Sequence, residues 1–309
     1  MDAEQIARFA CPSCKGNLQQ STPTELQCHL CGAAFPILGP IPVFHEPEKL
    51  ASILDAGSQT LDRFHATHAR FAEEWQYERQ FRQQDDPWGY RSRAAELLKY
   101  DWLARHCWLL TEGTSRRIVD LGCGLGFLAL NLAGRGARVT ALDLSPTAVQ
   151  RAENSRPIGI GEPVFAAASV AAIPLPSASV DLMVISDGLF TWGFDSASCK
   201  RILHNAAATL DEGGKILLMD YLKPSDHAAF LSLANGHPDL KLREIIRLHD
   251  RPWYGMELWL TPFRHTRWCR RLLSNRKLAK LLSFFGRVLG PFGTAHIAIV
   301  LDKSPVSTA

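Results

Sequence analysis

Three things are missing from these 309 residues. No apolar run is long enough to span a bilayer, which excludes a helical membrane protein. The opening MDAEQIARFACPSCK holds no apolar core of a secretory signal. No sign of charge dominates: 34 basic residues stand against 31 acidic ones, a net charge of +3, and nothing in that balance imposes a nucleic-acid partner. The expectation from these absences is a cytoplasmic protein. The length suits one large domain with a small one attached.

Cysteine is present and is clustered. Four of the eight cysteines form Cys11-Pro12-Ser13-Cys14 and Cys28-His29-Leu30-Cys31, two C-x2-C pairs thirteen residues apart. A cytosolic chain uses this spacing for metal. Each pair presents two thiolates to one ion, and two pairs close a tetrahedron that suits Zn²⁺. With Cys11, Cys14, Cys28 and Cys31 all bound, no coordination position stays open, so the metal is structural. It would supply folding energy that residues 1–45 cannot gather from their own core. His29 is a spare candidate ligand. The cysteines, with Phe35-Pro36-Ile37-Leu38-Gly39-Pro40-Ile41-Pro42-Val43-Phe44, resemble the zinc ribbon of the small activator subunit of eukaryotic RNA and translation-factor methyltransferases. By that resemblance the ribbon would stabilise its enzyme in cis. Some ribosomal-RNA guanine methyltransferases also carry an N-terminal zinc ribbon.

The chain is organised around IVDLGCGLGFLALNLAGRGARVTALDLS, residues 118–145. The apolar run into Asp120 suits a buried parallel strand. Gly122, Gly124 and Gly126 make a turn, Phe127–Ala133 reads as a helix, and Arg138–Leu142 reads as a second strand ending on Asp143. Glycines let backbone approach a ligand closely. An acid about 20 residues beyond them can accept hydrogen bonds from both hydroxyls of a ribose. The dinucleotide pattern G-x-G-x-x-G is absent, since neither Leu128 nor Ala129 is glycine. Asp120 would repel a pyrophosphate and suits a ligand carrying an ammonium group.

This segment resembles the class I S-adenosylmethionine (SAM) methyltransferases. The resemblance implies a doubly wound α/β fold with a seven-stranded, Rossmann-like sheet and a helical lid. It places SAM against Asp120, Gly122, Cys123, Gly124, Gly126, Asp143 and Leu144, with the methionine part over the glycine loop. The family usually has an acid where Ser169 stands, accepting from the adenine amino group. Serine can hydrogen-bond there only without charge, and the Val170 amide could still bind the ring. Val180–Ser186 reads as the fourth strand, and the loop from Asp187 should face the methyl group. Asp187 is a candidate to orient an acceptor or take its proton, or else caps the next helix or bonds the loop backbone. The loop lacks the Asn/Asp-Pro-Pro-aromatic motif of base-amine methyltransferases.

The domain reading is a ribbon at 1–45, a helical lead-in at 46–112 and a SAM domain at 113–303 with a cap inserted at about 222–264. In the lead-in, Leu61, Phe64, His68, Phe71, Trp75 and Phe81 recur at helical spacing. Asp85-Asp86-Pro87-Trp88-Gly89-Tyr90 then breaks that helix, and a second runs from about Arg91 to Leu109. The Asp-Pro-Trp-x-Tyr element, with Glu96 and Lys99-Tyr100, looks somewhat like the entry helix of nodulation-factor-type N-methyltransferases. Trp88, Tyr90 and Tyr100 either line the SAM site, where aromatic faces attract a sulfonium, or pack as a helix face. His249 and Tyr254 in the cap are general-base candidates. A helix is expected over Arg267–Phe285 and a last strand over His296–Asp302. Arg264–Lys280 carries seven basic residues and no acid. Such a segment contacts an anionic membrane, RNA phosphate or an acidic substrate, or is a solvated face.

The expected reaction is methyl transfer from SAM to an N, O or C atom of an acceptor, a small molecule in preference to RNA. The alternatives are an rRNA or tRNA methyltransferase, a SAM-consuming enzyme that releases methylthioadenosine by cyclisation or lysis, and a non-catalytic binding module. A small-molecule acceptor is the expected partner, and residues 264–285 offer a peripheral membrane contact.

Overall fold

Apolar and β-branched runs with little polar interruption become the buried strands of one sheet. The computed structural model describes residues 1–45, 74–159, 161–191, 194–233, 237–264 and 266–304. The expected stripe at Leu61, Phe64, His68 and Phe71, the Trp75 side chain and Trp192 lie outside the described residues.

The large sheet has seven strands in the order β10-β11-β9-β8-β5-β6-β7. They are β5 (Arg117–Leu121), β6 (Arg138–Asp143), β7 (Val164–Ala167), β8 (Val180–Ser186), β9 (Leu210–Tyr221), β10 (Leu240–Leu248) and β11 (His296–Lys303). Five run parallel, while β11 is antiparallel to β9 and β10 to β11. The chain steps outward from β5 through β6 to β7 and then returns to the other side of β5 with β8. That reversal opens the crevice beyond the strand ends where α/β sheets bind ligands.

The ribbon strands β1 (Leu18–Thr22), β2 (Glu25–Cys28), β3 (Ala34–Leu38) and β4 (Ile41–Pro42) form a second, antiparallel sheet behind helix α1 (Ala3–Ile6). Its end joins the large sheet. Val43 bridges Ala167 in parallel, and the Phe44 amide donates to the Ala167 carbonyl at 2.8 Å. Phe9, Leu26, Phe35 and Phe44 share one core with Val119, Leu142, Ile173 and Leu175. The ribbon is therefore packed onto the β7 edge.

Helices α2 (Glu74–Gln83) and α3 (Ala94–Leu110) precede β5, and α4 (Phe127–Gly134), α5 (Pro146–Asn154) and α6 (Ser196–Thr209) alternate with the strands. Short helix α7 (His227–Ser232) follows β9. Ser145 caps α5 by accepting from the Ala148 amide, with Pro146 at the first helical position.

Two expectations need correction. The stretch 222–264 is not wholly a cap, because Leu240–Leu248 pairs with β11 as a sheet strand. Its sequence LKLREIIRL has mostly exposed side chains, as an edge strand does, and its charges hide the strand pattern. The extra layer instead lies between β10 and β11. It consists of α8 (Arg251–Trp259), α9 (Arg267–Leu273) and α10 (Arg276–Val288). The helix expected over 267–285 is the pair α9 and α10. Asn275 breaks it by accepting from the Lys277 and Leu278 amides, starting a new helix. Residues 211–214 are an irregular entry into β9, where the pairing with β8 shifts register.

Candidate active site and zinc ribbon

The four ribbon thiols lie within 4.8 Å of one another, with Cys11–Cys31 at 3.7 Å and Cys14–Cys28 at 3.4 Å. Tetrahedral Zn²⁺ with Zn–S bonds of about 2.3 Å sets its sulfurs about 3.8 Å apart, so the set fits that ion. A Cβ on Gly16 would stand 2.9 Å from the Cys28 sulfur, which leaves no room for a side chain beside the cluster.

At the ends of β5 and β6, the amides of Gly122 and Cys123 both donate to the Leu142 carbonyl, at 2.7 and 2.9 Å. The Gly124 amide donates to Asp143 Oδ2 at 2.7 Å, and the Ser145 amide to Oδ1 at 2.9 Å. Burial raises the Asp143 carboxyl to about 6 despite these donors. Asp120 lies beneath the loop, and its Oδ2 is buried without a hydrogen-bond partner. Burial, reinforced by the charge of Asp143, pushes Asp120 up to about 7. An orphaned buried carboxylate oxygen costs free energy that a cationic ligand would recover. A Cβ on Gly122 would meet nothing within 4 Å, so that side of the loop is open.

Aromatic rings wall this crevice. Tyr77 on α2 donates to Asp143 Oδ2 at 3.2 Å. Trp88 stacks on Tyr77 and on Tyr90, with centroids 5.5 and 6.0 Å apart, and Tyr90 meets Tyr100 edge-on at 5.8 Å. Trp88, Tyr90 and Tyr100 thus pack on one another. Helix α2 is held by Glu78, which accepts from the Ser145 and Thr147 hydroxyls at the start of α5. A carboxylate is favoured there by the helix dipole.

Asp187, in the left-handed region at φ 52°, directly follows β8. Lys99 of α3 donates to its Oδ2 at 2.5 Å, the Tyr221 amide to its Oδ1 at 3.0 Å, and His296 Nε2 lies 3.3 Å from Oδ1. A chain of alternating charge runs through the site. Glu257 pairs with Arg93, Arg93 with Glu96 at 3.6 Å, Glu96 with Lys99 at 2.6 Å, and His296 with Asp250 at 2.6 Å. Burial alone would raise Asp187, but Lys99 and His296 pull it well below the usual carboxylate range. Burial would lower His296, but Asp250 and Asp187 raise it to about 10, so it is an imidazolium at neutral pH.

Tyr254 joins this network. Its hydroxyl donates to Glu96 Oε1 at 3.0 Å, and its ring packs on Tyr221 and His296. Burial raises its pKa, so it keeps its proton. His249 does not join by any hydrogen bond. Its Nδ1 lies 3.2 Å from the Thr294 hydroxyl, and it lines a cavity of about 460 Å³ with Trp102, Arg105 and Arg247, whose wall also includes Lys99 and Asp250. Beyond β7, Ser169 accepts from the Ala171 amide at 3.3 Å, and Val170 is half-buried against the main core. The Leu144 carbonyl pairs with His45 Nε2 at 2.9 Å, and the Cys123 thiol is buried.

Sequence reasoning missed His296, Asp250, Tyr77 and Asp220. Asp220 is buried at the end of β9 and accepts the amides of Leu189, Phe190 and Thr191, which shapes the loop after β8. The usable signal was a polar residue at the tip of an apolar strand: Asp220 closes KILLMD, and His296 opens HIAIVLD.

Residues 118–214 match the family described as methyltransferase domain, and residues 9–38 match Trm112p-like protein. The chain carries a class I SAM methyltransferase domain behind a Trm112p-like zinc ribbon. The UPF0434 protein of Dechloromonas aromatica is 45% identical over 49 residues, covering 16% of this chain and 84% of that protein. A ubiquinone biosynthesis O-methyltransferase of Alkalilimnicola ehrlichii is 27% identical over 56% of this chain and 65% of its own length. A demethylmenaquinone methyltransferase of Thermus thermophilus is 29% identical over 40% of this chain and 55% of its own. The chain thus spans less than two thirds of the length of these two methyltransferases. The solved N-methyltransferase NodS of Bradyrhizobium japonicum, in complex with S-adenosylhomocysteine, shares the fold. Its TM-score is 0.52 at 14% identity, over 75% of this chain and 99% of that one.

Proposed function

We propose that the protein transfers the methyl group of SAM to a small-molecule acceptor lying beside Asp187, Tyr221, Tyr254 and His296. The observation that carries this is the Asp187 carboxylate, held from three sides at the end of β8, next to the strand that leads into the glycine loop. SAM, when bound, supplies a methyl group already activated on a sulfonium. The protein's share is alignment, which can contribute much of the rate.

Asp120 would hold the ammonium group, Gly122 and Gly124 the methionine backbone, and Asp143 the ribose once the Tyr77 hydroxyl yields its place. Ser169 and the Val170 amide would take the adenine. Asp187, paired with two cations, is a poor proton acceptor and orients the acceptor by accepting hydrogen bonds. His296, Lys99 and Tyr254 have their protons committed to Asp187, Asp250 and Glu96, and so hold the Asp187 carboxylate in place beside the acceptor. The site therefore suits an acceptor that presents an O–H to Asp187, such as a phenol or a carboxylic acid. The O-methyltransferase named among the relatives agrees with oxygen as the acceptor atom. His249 would act only by placing the β10 end that carries Asp250.

The test is calorimetric titration with SAM and S-adenosylhomocysteine, then chromatography of SAM incubated with a panel of phenols and carboxylic acids. Binding with S-adenosylhomocysteine formed only when an acceptor is present supports the proposal. Methylthioadenosine formed without an acceptor would overturn it, and so would methylation of RNA alone.

A further inference from the structure

The outer face of the cap has an arrangement that methyl transfer does not use. Helix α10 is apolar on two sides. Its inner side presses Ala279 and Gly286 against the body, and a Cβ on Gly286 would stand 2.2 Å from the His249 carbonyl oxygen. That contact fixes the helix rotation. The opposite side then turns Leu281, Phe284, Phe285 and Val288 outward, at i, i+3, i+4 and i+7, with exposures of 51%, 60%, 53% and 80%. Trp259 at the end of α8 and Phe292 beyond α10 are 75% and 73% exposed. A continuous apolar stripe of this kind on a folded surface marks an interaction site.

The charge carried by the segment itself has one sign, with Asp101 of α3 pairing with Arg276 at 3.1 Å. Residues 258–301 hold eight of the chain's 34 basic residues and none of its 31 acids. The rest of the chain is therefore net acidic, with 26 basic residues against 31 acidic ones. All eight are exposed, among them Arg267 and Arg271 on α9 and Lys277, Lys280 and Arg287 on α10.

We propose that this face docks on an anionic phospholipid bilayer, with α10 lying in the interface and its aromatic stripe among the acyl chains. Basic side chains beside an exposed Trp, Phe and Leu face are what an interfacial helix requires. Trp259 and Trp268 are the residue type enriched at that depth. An RNA partner would satisfy the cations but leave Leu281, Phe285 and Val288 in water. A second copy packed symmetrically would bring like charges face to face, with no acid in the segment to offset them. No helix among the described residues is long and apolar enough to cross a membrane, so the contact is peripheral.

The test uses the full chain with sedimented vesicles of phosphatidylcholine, with and without phosphatidylglycerol. Binding should be at least about tenfold tighter with phosphatidylglycerol and should weaken as salt rises. Phe285→Asp with Val288→Asp should abolish binding. Arg267→Glu with Lys277→Glu should weaken it about tenfold or more on anionic vesicles only. Neither pair touches the SAM crevice, so thermal stability and SAM binding should stay unchanged and report folding. Absence of vesicle binding, binding indifferent to the Phe285 and Val288 changes, or a dimer held through this face without vesicle binding would each overturn the proposal. Salt-sensitive RNA binding without vesicle binding would also overturn it.

Discussion

Gly122 and Gly126 lie four residues apart, both left-handed at φ 85° and 74°. An added methyl meets different surroundings at each. At Gly126 it would stand 2.8 Å from Ala152 Cβ and 3.0 Å from the Phe165 ring. At Gly122 it would meet open space. Gly126→Ala should therefore cost about 2–4 kcal/mol from overpacking and backbone strain together. Gly122→Ala should cost only about 1 kcal/mol of strain yet reduce SAM affinity tenfold or more. Thermal melts and SAM titration of the two variants separate these outcomes, and equal stability losses would contradict the assignment.

The buried acids add a pH dependence. Asp120 and Asp143 have pKa values raised to about 7 and about 6. The unliganded fold therefore takes up protons there and gains stability as pH falls through that window. A cationic ligand prefers both acids ionised. SAM affinity should weaken as pH drops through about 7 and again through about 6, and Asp120→Asn should flatten the upper step. A flat wild-type profile would mean that Asp120 does not face the ligand.

Among the elements, the ribbon is built into the body. Besides the shared core, the Ala10 amide donates to the Pro174 carbonyl at 3.0 Å, and Lys15 Nζ donates to the Ile173 carbonyl at 2.6 Å. These contacts hold the loop after β7, where Ser169 and Val170 lie. Removing the metal, or Cys28→Ser, should lower the melting temperature of the whole chain by roughly 5 °C or more. A ribbon that melts separately, leaving the main transition in place, would refute this coupling. The parallel strands and the cysteine cluster were legible in sequence because each depends on local pattern: apolar runs, a glycine turn and C-x2-C spacing. β10 was not, because an edge strand exposes its charges. The α9–α10 break was hidden because Asn275 reads as one polar residue within an amphipathic run. The charge network was invisible for another reason. Lys99, Asp187 and His296 are far apart in sequence, and only the fold brings them together.

Across the whole molecule, the ribbon is attached to the β7 edge of the sheet and the cap to α3 and the start of β11, by different means. The ribbon shares the main core, whereas Trp253 in the cap sits in a small separate cluster with Ala94, Ala95 and Ala279. Much of the cap's attachment is electrostatic: Arg93 with Glu257, Tyr254 with Glu96, and Asp250 with His296. His296 has its folded pKa raised to about 10. Its contribution to stability is therefore fully present below its unfolded value near 6.5. It is lost as pH rises through about 10. His296→Gln leaves Asp187 and Asp250 without their shared cation, and should cost about 3–5 kcal/mol at neutral pH. The difference in melting temperature between wild type and variant should shrink as pH approaches 10. Hydrogen exchange at neutral pH should locate the loss, with residues 251–292 opening faster in the variant while β5, β6 and β8 keep their protection. Equal loosening of the sheet would mean that the network supports the whole core, and unchanged exchange would mean that the imidazolium does not hold the cap.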